Sequence, residues 1–231
     1  MTFPVRRWAI VPAAGQGSRF GAARPKQYMP LLERPLLSWT LSALLAEPRI
    51  DGIVVALTPG DALWQSVPEF ADPRVRRCVG GTRREHSVAH GLEALDRHAR
   101  DTDWALVHDA ARPCLRRHDL QLLFDTLAAD AVGGLLAVPV SDTLKRDDGE
   151  QRVGETVARA GLWRAQTPQM FRYGLLRRAL RLCLERDRSV TDEASAIESL
   201  GLRPRLVRGR ADNIKVTNLE DAALAEAILR S

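Results

Sequence analysis

Residues 13–20, Ala-Ala-Gly-Gln-Gly-Ser-Arg-Phe, follow at once on the apolar run Trp8 to Pro12, and Pro25-Lys26-Gln27 comes shortly after. A glycine-rich turn behind a strand aims backbone N–H groups at an anion. Gly15 and Gly17, with Arg19 and Lys26 on the same loop, therefore point to a polyphosphate site. The other reading is an ordinary strand–turn–helix with surface cations. No Gly-Lys-Ser/Thr follows, so this is not the P-loop, and Phe20 stands where the dinucleotide fingerprint needs its third glycine.

Four further stretches carry candidate chemistry. "WALVHDAARP" ends an apolar run on Asp109, where a carboxylate at a strand's carboxyl end suits Mg²⁺; it could equally cap the next helix. His108 beside it is either a base or a hydrogen-bonded packing residue. "GRADNIKVT" sets Asp212 and Lys215 three apart in an expected short strand, as a second cationic site or an edge-strand ion pair. "GGTRREHS" is another glycine turn, with Gly81 in it and Ser87 entering a helix, and "LWRAQTPQMF" has a Thr-Pro-Gln turn that could present Thr167.

Charge sharpens the choice. Of 34 basic residues only Lys26, Lys145 and Lys215 are lysines, and two of these lie inside the unusual stretches. A lysine is a compact point charge suited to a crowded phosphate, where arginine is a planar fork. The net charge of +5 is scattered, with aromatics at 5%, so the basic surface favours small anions over nucleic acid.

These residues need elements to hold them. Strand-like runs are "RWAIVPA", "DGIVVALT", "RVRRCVG", "DWALVHD" and "GGLLAVPV", alternating with helical patterns at Pro35–Ala46, Gly60–Val67, Arg84–His98 and His118–Ala129. Such alternation predicts an α/β fold, a mostly parallel sheet flanked by helices, with ligands at the carboxyl ends of its strands. From about 141 to 162 the chain turns polar, with Asp148-Gly149 as a turn and alternation in "RVGETVARA". We read it, with the Thr-Pro-Gln stretch behind it, as a projecting β-arm whose surface carries Lys145. Helices follow at Tyr173–Arg186, at Asp192–Leu200 with Thr191 as N-cap, and at Leu219–Leu229 with Asn218 as N-cap, with a strand at "RPRLVRG". One domain over 1–231 is expected, with no fused second one. The apolar stretch near the N-terminus is too short for a signal peptide, no run is long enough to span a membrane, and three scattered cysteines suit a reducing compartment, so the expected location is cytoplasmic.

The ordered set "PAAGxGxRF…PKQY", "GGxxRxxSV", "VHDAARP", "PVxDTxKR", "LWxAQTPQ", "TDEASAxE" and "GxxxNIKVT" resembles the 2-C-methyl-D-erythritol 4-phosphate cytidylyltransferase family, from about Trp8 to Leu229. The resemblance implies a Rossmann-like nucleotidyltransferase sheet and Mg²⁺-dependent transfer of CMP from CTP to methylerythritol phosphate in a homodimer. It assigns catalysis to Arg19, Lys26 and Lys215, and Mg²⁺ to Asp109. It assigns the nucleotide to Ala13, Ala14, Gly15, Gly17, Gly81, Thr82, Ser87 and Ala110, and methylerythritol phosphate to Arg112, Thr143, Arg159 and Thr167, some of them reaching in from the partner's arm. At position 82 the family often has Asp, and this chain has Thr. The residues fit direct transfer: the nucleophile is already ionised, so alignment and charge neutralisation are what a protein must supply. Ribitol 5-phosphate as acceptor is the neighbouring alternative. An NAD-dependent oxidoreductase would need an acid ending the second strand, where only Asp61 beyond Pro-Gly is offered, and a non-catalytic nucleotide sensor would need no metal carboxylate.

Overall fold

The computed structural model describes residues 4–15 and 24–231. Its centre is the apolar run β1 (Arg7–Ala13), parallel to β4 (Gly52–Leu57) on one side and to β6 (Trp104–Val107) on the other. β5 (Val75–Val79) extends the sheet beyond β4. On the other side β10 (Trp163–Arg172) runs antiparallel between β6 and β7 (Gly133–Pro139), and β11 (Arg205–Arg208) closes the edge. Among the described residues this gives a seven-stranded order, β11-β7-β10-β6-β1-β4-β5, with β10 alone antiparallel. The chain lays β4 and β5 on one side of β1 and then crosses to β6. That reversal opens a crevice at the carboxyl ends of β1 and β6.

Alternation along each strand feeds two apolar layers. Ala9, Val11, Val55 and Leu106 pack with α1 (Leu36–Leu45) and α3 (Arg117–Leu127) through Leu37, Leu41, Leu44 and Leu123. Trp8, Ile10, Val54 and Val107 face α2 (Arg84–Glu93), α4 (Tyr173–Glu185) and α5 (Glu193–Glu198). Burial on both faces is why these strands read as unbroken apolar runs. Helix α2 lies close on β1 because position 91 is glycine: a Cβ there would sit 2.6 Å from Ile10 Cγ2. Beside the sheet, β2 (Pro30–Leu31) and β3 (Arg34–Pro35) form a small ribbon, and β8 (Leu144–Asp147) with β9 (Val153–Val157) forms the expected arm. The chain closes on α6 (Leu219–Arg230), capped by Asn218 as expected, its side chain accepting from Asp221 N–H at 2.8 Å.

Five expectations change. Thr-Pro-Gln is not a turn behind the arm but lies inside β10, where the register shifts between Ala165 and Gln169 because Pro168 has no N–H to give the ladder. Its buried polar residues find partners in distant segments: Gln166 Nε2 donates to Arg210 O, while its Oε1 has no partner among the described residues, and Gln169 donates to Asp192 and accepts from Ala194 N–H. The stretch Asp212–Lys215 is turn and loop, not strand, tied to the cleft by Val216 N–H on Ala111 O. Gly60–Val67 forms only a 3-10 turn at Leu63–Ser66, and α2 stops at Glu93, short of His98. The cap of α5 is Asp192, one residue past Thr191, since its carboxylate accepts from Ser195 N–H.

Candidate active site

Three loops meet over the crevice around a cleft of about 340 Å³. The first leaves β1 through Ala13, Ala14 and Gly15; Gln27 Nε2 donates to Ala13 O at 2.8 Å and Thr58 Oγ1 to Ala14 O at 3.1 Å. These bonds fix the loop's carbonyls, and Ala13, Ala14 and Gly15 line the cleft. Lys26 opens the 3-10 turn Lys26–Tyr28 and lines it too. Gly17 and Arg19 lie outside the described residues. The second loop leaves β5. A Cβ at Gly80 would stand 2.5 Å from Ala14 Cβ, so glycine lets the two loops touch. Gly81 N–H donates to Ser87 Oγ at 3.0 Å, which closes this turn over the start of α2. Gly81, Thr82 and Ser87 all line the cleft, as do Ala110 and Lys215.

Asp109, buried at the end of β6, is the centre of charge. Arg84 Nε donates to its Oδ1 at 2.9 Å, Lys215 Nζ reaches Oδ2 at 2.8 Å, and Arg112 Nε stands 4.0 Å from Oδ2. Burial pushes the Asp109 carboxyl up, but Arg84 and Lys215 overcome it and hold the group well below the usual carboxylate range. It is ionised and caps no helix, since α3 begins beyond Arg116. Arg84 in turn forks onto the fully buried Glu193 at 2.6 and 3.0 Å. Burial disfavours the Arg84 charge, yet Glu193 and Asp109 raise its pKa above the ordinary guanidinium value. Of the two readings of this stretch, the ion pair of Asp212 with Lys215 does not form: Asp212 pairs with Arg210 at 2.8 Å, and Lys215 with Asp109.

Beside Asp109, His108 and Thr167 are buried. Asp109 N–H donates to Thr167 Oγ1 at 3.0 Å, and Thr167 Oγ1 lies 3.0 Å from His108 Nδ1. Thr167 thus sits under the cleft floor rather than in its lining. His108 is buried with both ring nitrogens engaged, Nε2 by Arg112 O and Nδ1 by Thr167 Oγ1, and it does not line the cleft, as the packing reading has it; burial lowers its pKa to about 4. Arg112 donates to Asn213 O at 2.6 Å and is itself mostly buried. Thr143 and Arg159 are exposed on and beside the arm, Arg159 hydrogen-bonded to Ser141 O, and neither lines the cleft of its own chain. Arg84 and Gln27 line the cleft without having been singled out from the sequence. Their signal was there: Arg84 is the fixed arginine of "GGxxRxxSV", Glu193 lies in "TDEASAxE", and Gln27 follows Lys26.

Comparison with known proteins places the chain in a family. The family model described as 2-C-methyl-D-erythritol 4-phosphate cytidylyltransferase matches residues 8–231. The chain is 57% identical over 232 residues to the protein of that name from Dechloromonas aromatica, covering 98% of each. It is 55% identical to that from Azoarcus sp., covering 99% of this chain and 96% of the relative. Among solved structures, a 4-diphosphocytidyl-2C-methyl-D-erythritol synthase superposes with a TM-score of 0.86 at 40% identity, over 99% of this chain and 100% of that one. The cytidylyltransferase from Thermus thermophilus superposes at 0.79 with 32% identity, over 99% and 100%. The chain belongs to the 2-C-methyl-D-erythritol 4-phosphate cytidylyltransferase family.

Proposed function

We propose that this chain transfers CMP from CTP to 2-C-methyl-D-erythritol 4-phosphate. An oxygen of the acceptor phosphate bonds to the α-phosphorus of CTP, the bond from that phosphorus to the bridging oxygen breaks, and pyrophosphate leaves with the electron pair. The observation that carries the reading is one cleft joining two glycine turns, Lys26, Lys215 and an ionised Asp109. Two anions must be brought together there, and fixed cations lower that barrier without reorganising. Lys215, beside Asp109 and half exposed, is placed to follow charge at the reacting phosphate; Lys26 neutralises the nucleotide from the first loop. The high identity to methylerythritol phosphate enzymes favours that acceptor over ribitol 5-phosphate.

Mg²⁺ belongs to the same proposal. Asp109 is the sole carboxylate among the described residues lining the cleft, and no group of three or more His, Cys, Asp or Glu among them could hold a metal. One carboxylate plus substrate phosphates is a usual Mg²⁺ set, so the residues fit an ion that arrives on the nucleotide, held through Asp109. When bound it would supply charge neutralisation at the phosphates. The assay is pyrophosphate release with CTP, Mg²⁺ and methylerythritol phosphate. Preference for ribitol 5-phosphate in that assay would overturn the acceptor.

We also propose that the arm serves a second copy. Val153 and Leu162 lie exposed on and beside it, and Arg159 and Thr143 stand outside the lining of their own cleft. Mixing Lys26→Ala with Arg159→Ala subunits should restore about a quarter of wild-type activity if half the dimers are mixed and each regains one site. No recovery after confirmed exchange would place Arg159 in its own subunit. Among the described residues no helix is long and apolar enough to cross a membrane. With three free thiols at Cys78, Cys114 and Cys183, a cytoplasmic location is the reading we favour.

A further inference from the structure

We propose that Asn213 is a positioning residue: its buried amide and its main-chain oxygen staple the loop after β11 to β10 and to Arg112, and so hold the Lys215 ammonium at Asp109. The inference rests on the transferase reading above only for its kinetic test. Residues 213–217 lie in neither helix nor strand, so no ladder of backbone bonds fixes where Lys215 stands. Burial shows what does. Asn213 and Val216 are wholly buried, whereas the Lys215 side chain between them is 42% exposed. The chain is thus pinned on both sides of Lys215. The pin after it is Val216 N–H on Ala111 O at 2.8 Å, close behind Asp109. The pin before it is Asn213.

Asn213 Nδ2 donates to Thr167 O at 2.9 Å. A carbonyl oxygen only accepts, so this position needs a side chain that donates. Asn213 Oδ1 has no partner among the described residues, a cost that leucine, of similar size, would avoid. The amide is there for its N–H. The main-chain oxygen of Asn213 accepts from Arg112 Nη1 at 2.6 Å, and Gln166 Nε2 donates to Arg210 O at 2.8 Å where the turn begins. Thr167 and Arg112 are themselves tied to Asp109: Thr167 Oγ1 accepts the Asp109 N–H at 3.0 Å, and Arg112 N–H donates to Asp109 O at 3.1 Å. Both ends of the staple therefore start from the residue that Lys215 must meet, and Lys215 Nζ lies 2.8 Å from its Oδ2. Removing the amide leaves Arg112 alone to hold this side of the loop. A shift on the order of 1 Å at a reacting centre can lower turnover about a hundredfold.

The test has a spectroscopic and a kinetic arm. Lys26, Lys145 and Lys215 are the only lysines of the chain, so protein labelled with ¹³C in lysine gives three ε-carbon NMR signals, each assigned from its own Lys→Arg variant. In wild-type protein the Lys215 ε-methylene should be more ordered than that of exposed Lys145, and Asn213→Leu should release it to the Lys145 level. Equal mobility of Lys215 and Lys145 in wild-type protein overturns the proposal, as does a Lys215 that stays ordered in Asn213→Leu. Kinetically, Asn213→Leu should lower kcat about 10- to 100-fold, though no further than Lys215→Ala, with the KM for CTP within about threefold. In the Lys215→Ala background the same substitution should cost less than about twofold, because the staple has nothing left to position. A merely structural role would lower both backgrounds alike, so multiplicative losses overturn the proposal. A loss confined to the KM of the acceptor phosphate would place the action at Arg112 and also overturn it. If Asn213→Leu does not fold, Asn213→Ser, too short to reach Thr167 O, takes its place with the same outcomes. If wild-type protein fails to turn over CTP and methylerythritol phosphate, the transferase reading falls, while the order of Lys215 still judges this one.

Discussion

The cleft and the arm use the same interaction to different ends. In the cleft, Asp109 has only 10% of its side chain exposed and gathers Arg84, Lys215 and Arg112. On the arm, Arg146 and Glu155 pair across β8 and β9 with 66% and 58% of their side chains in water. Water screens the second pair, so its net contribution is small, about 0–1 kcal/mol. In the cleft, charges removed from water must be satisfied by one another, and removing one leaves the rest uncompensated. The same pairing is therefore an organising centre in one place and a surface feature in the other.

The comparison breaks first at Asp109. Asp109→Asn keeps the shape and removes the charge that three cations answer; turnover should fall by roughly 10²-fold or more, read as pyrophosphate release, in a protein of unchanged circular dichroism. Near-normal turnover would reduce the centre to a surface-like pair. Lys215→Ala should lower kcat about 10- to 100-fold with a smaller KM change if the lysine follows charge at the transferring phosphate. An effect on KM alone would make it a ground-state contact. Leu41→Ala, in the apolar layer against the sheet and outside the cleft lining, should cost about 2–5 kcal/mol in denaturant unfolding with kcat of the folded fraction unchanged. It separates loss of fold from loss of charge. The smallest effect belongs to the arm: Lys145, exposed and bonded to Thr156 at 2.7 Å, should tolerate Ala within about 0.5 kcal/mol and with little change in rate. A large loss there would show that the arm's surface polar contacts matter as the cleft's do.

Much of this was legible beforehand for local reasons. β1 spans the residues expected for it, the arm's hairpin follows its polar alternation, and Asn218 caps α6, because pattern, turn residues and caps act within a few neighbours. The stretch Trp163–Arg172 was not legible as a strand. Two glutamines, a threonine and a proline argue against a central position, and it becomes one because side chains and carbonyls from distant segments partner its polar residues. The same cause hid Arg84: its local pattern is that of a surface helix start, and only the approach of Glu193, 109 residues away, buries it.

The sequence by itself determined the alternation of strands and helices, the glycine turns after β1 and β5, the carboxylate after β6 and the family to which they belong. Each depends on residue type and short spacing. Tertiary structure alone decided which cation meets which carboxylate: Lys215 with Asp109, and Arg84 with Glu193. Such outcomes depend on distance and dielectric between segments about a hundred residues apart, which spacing along the chain does not encode.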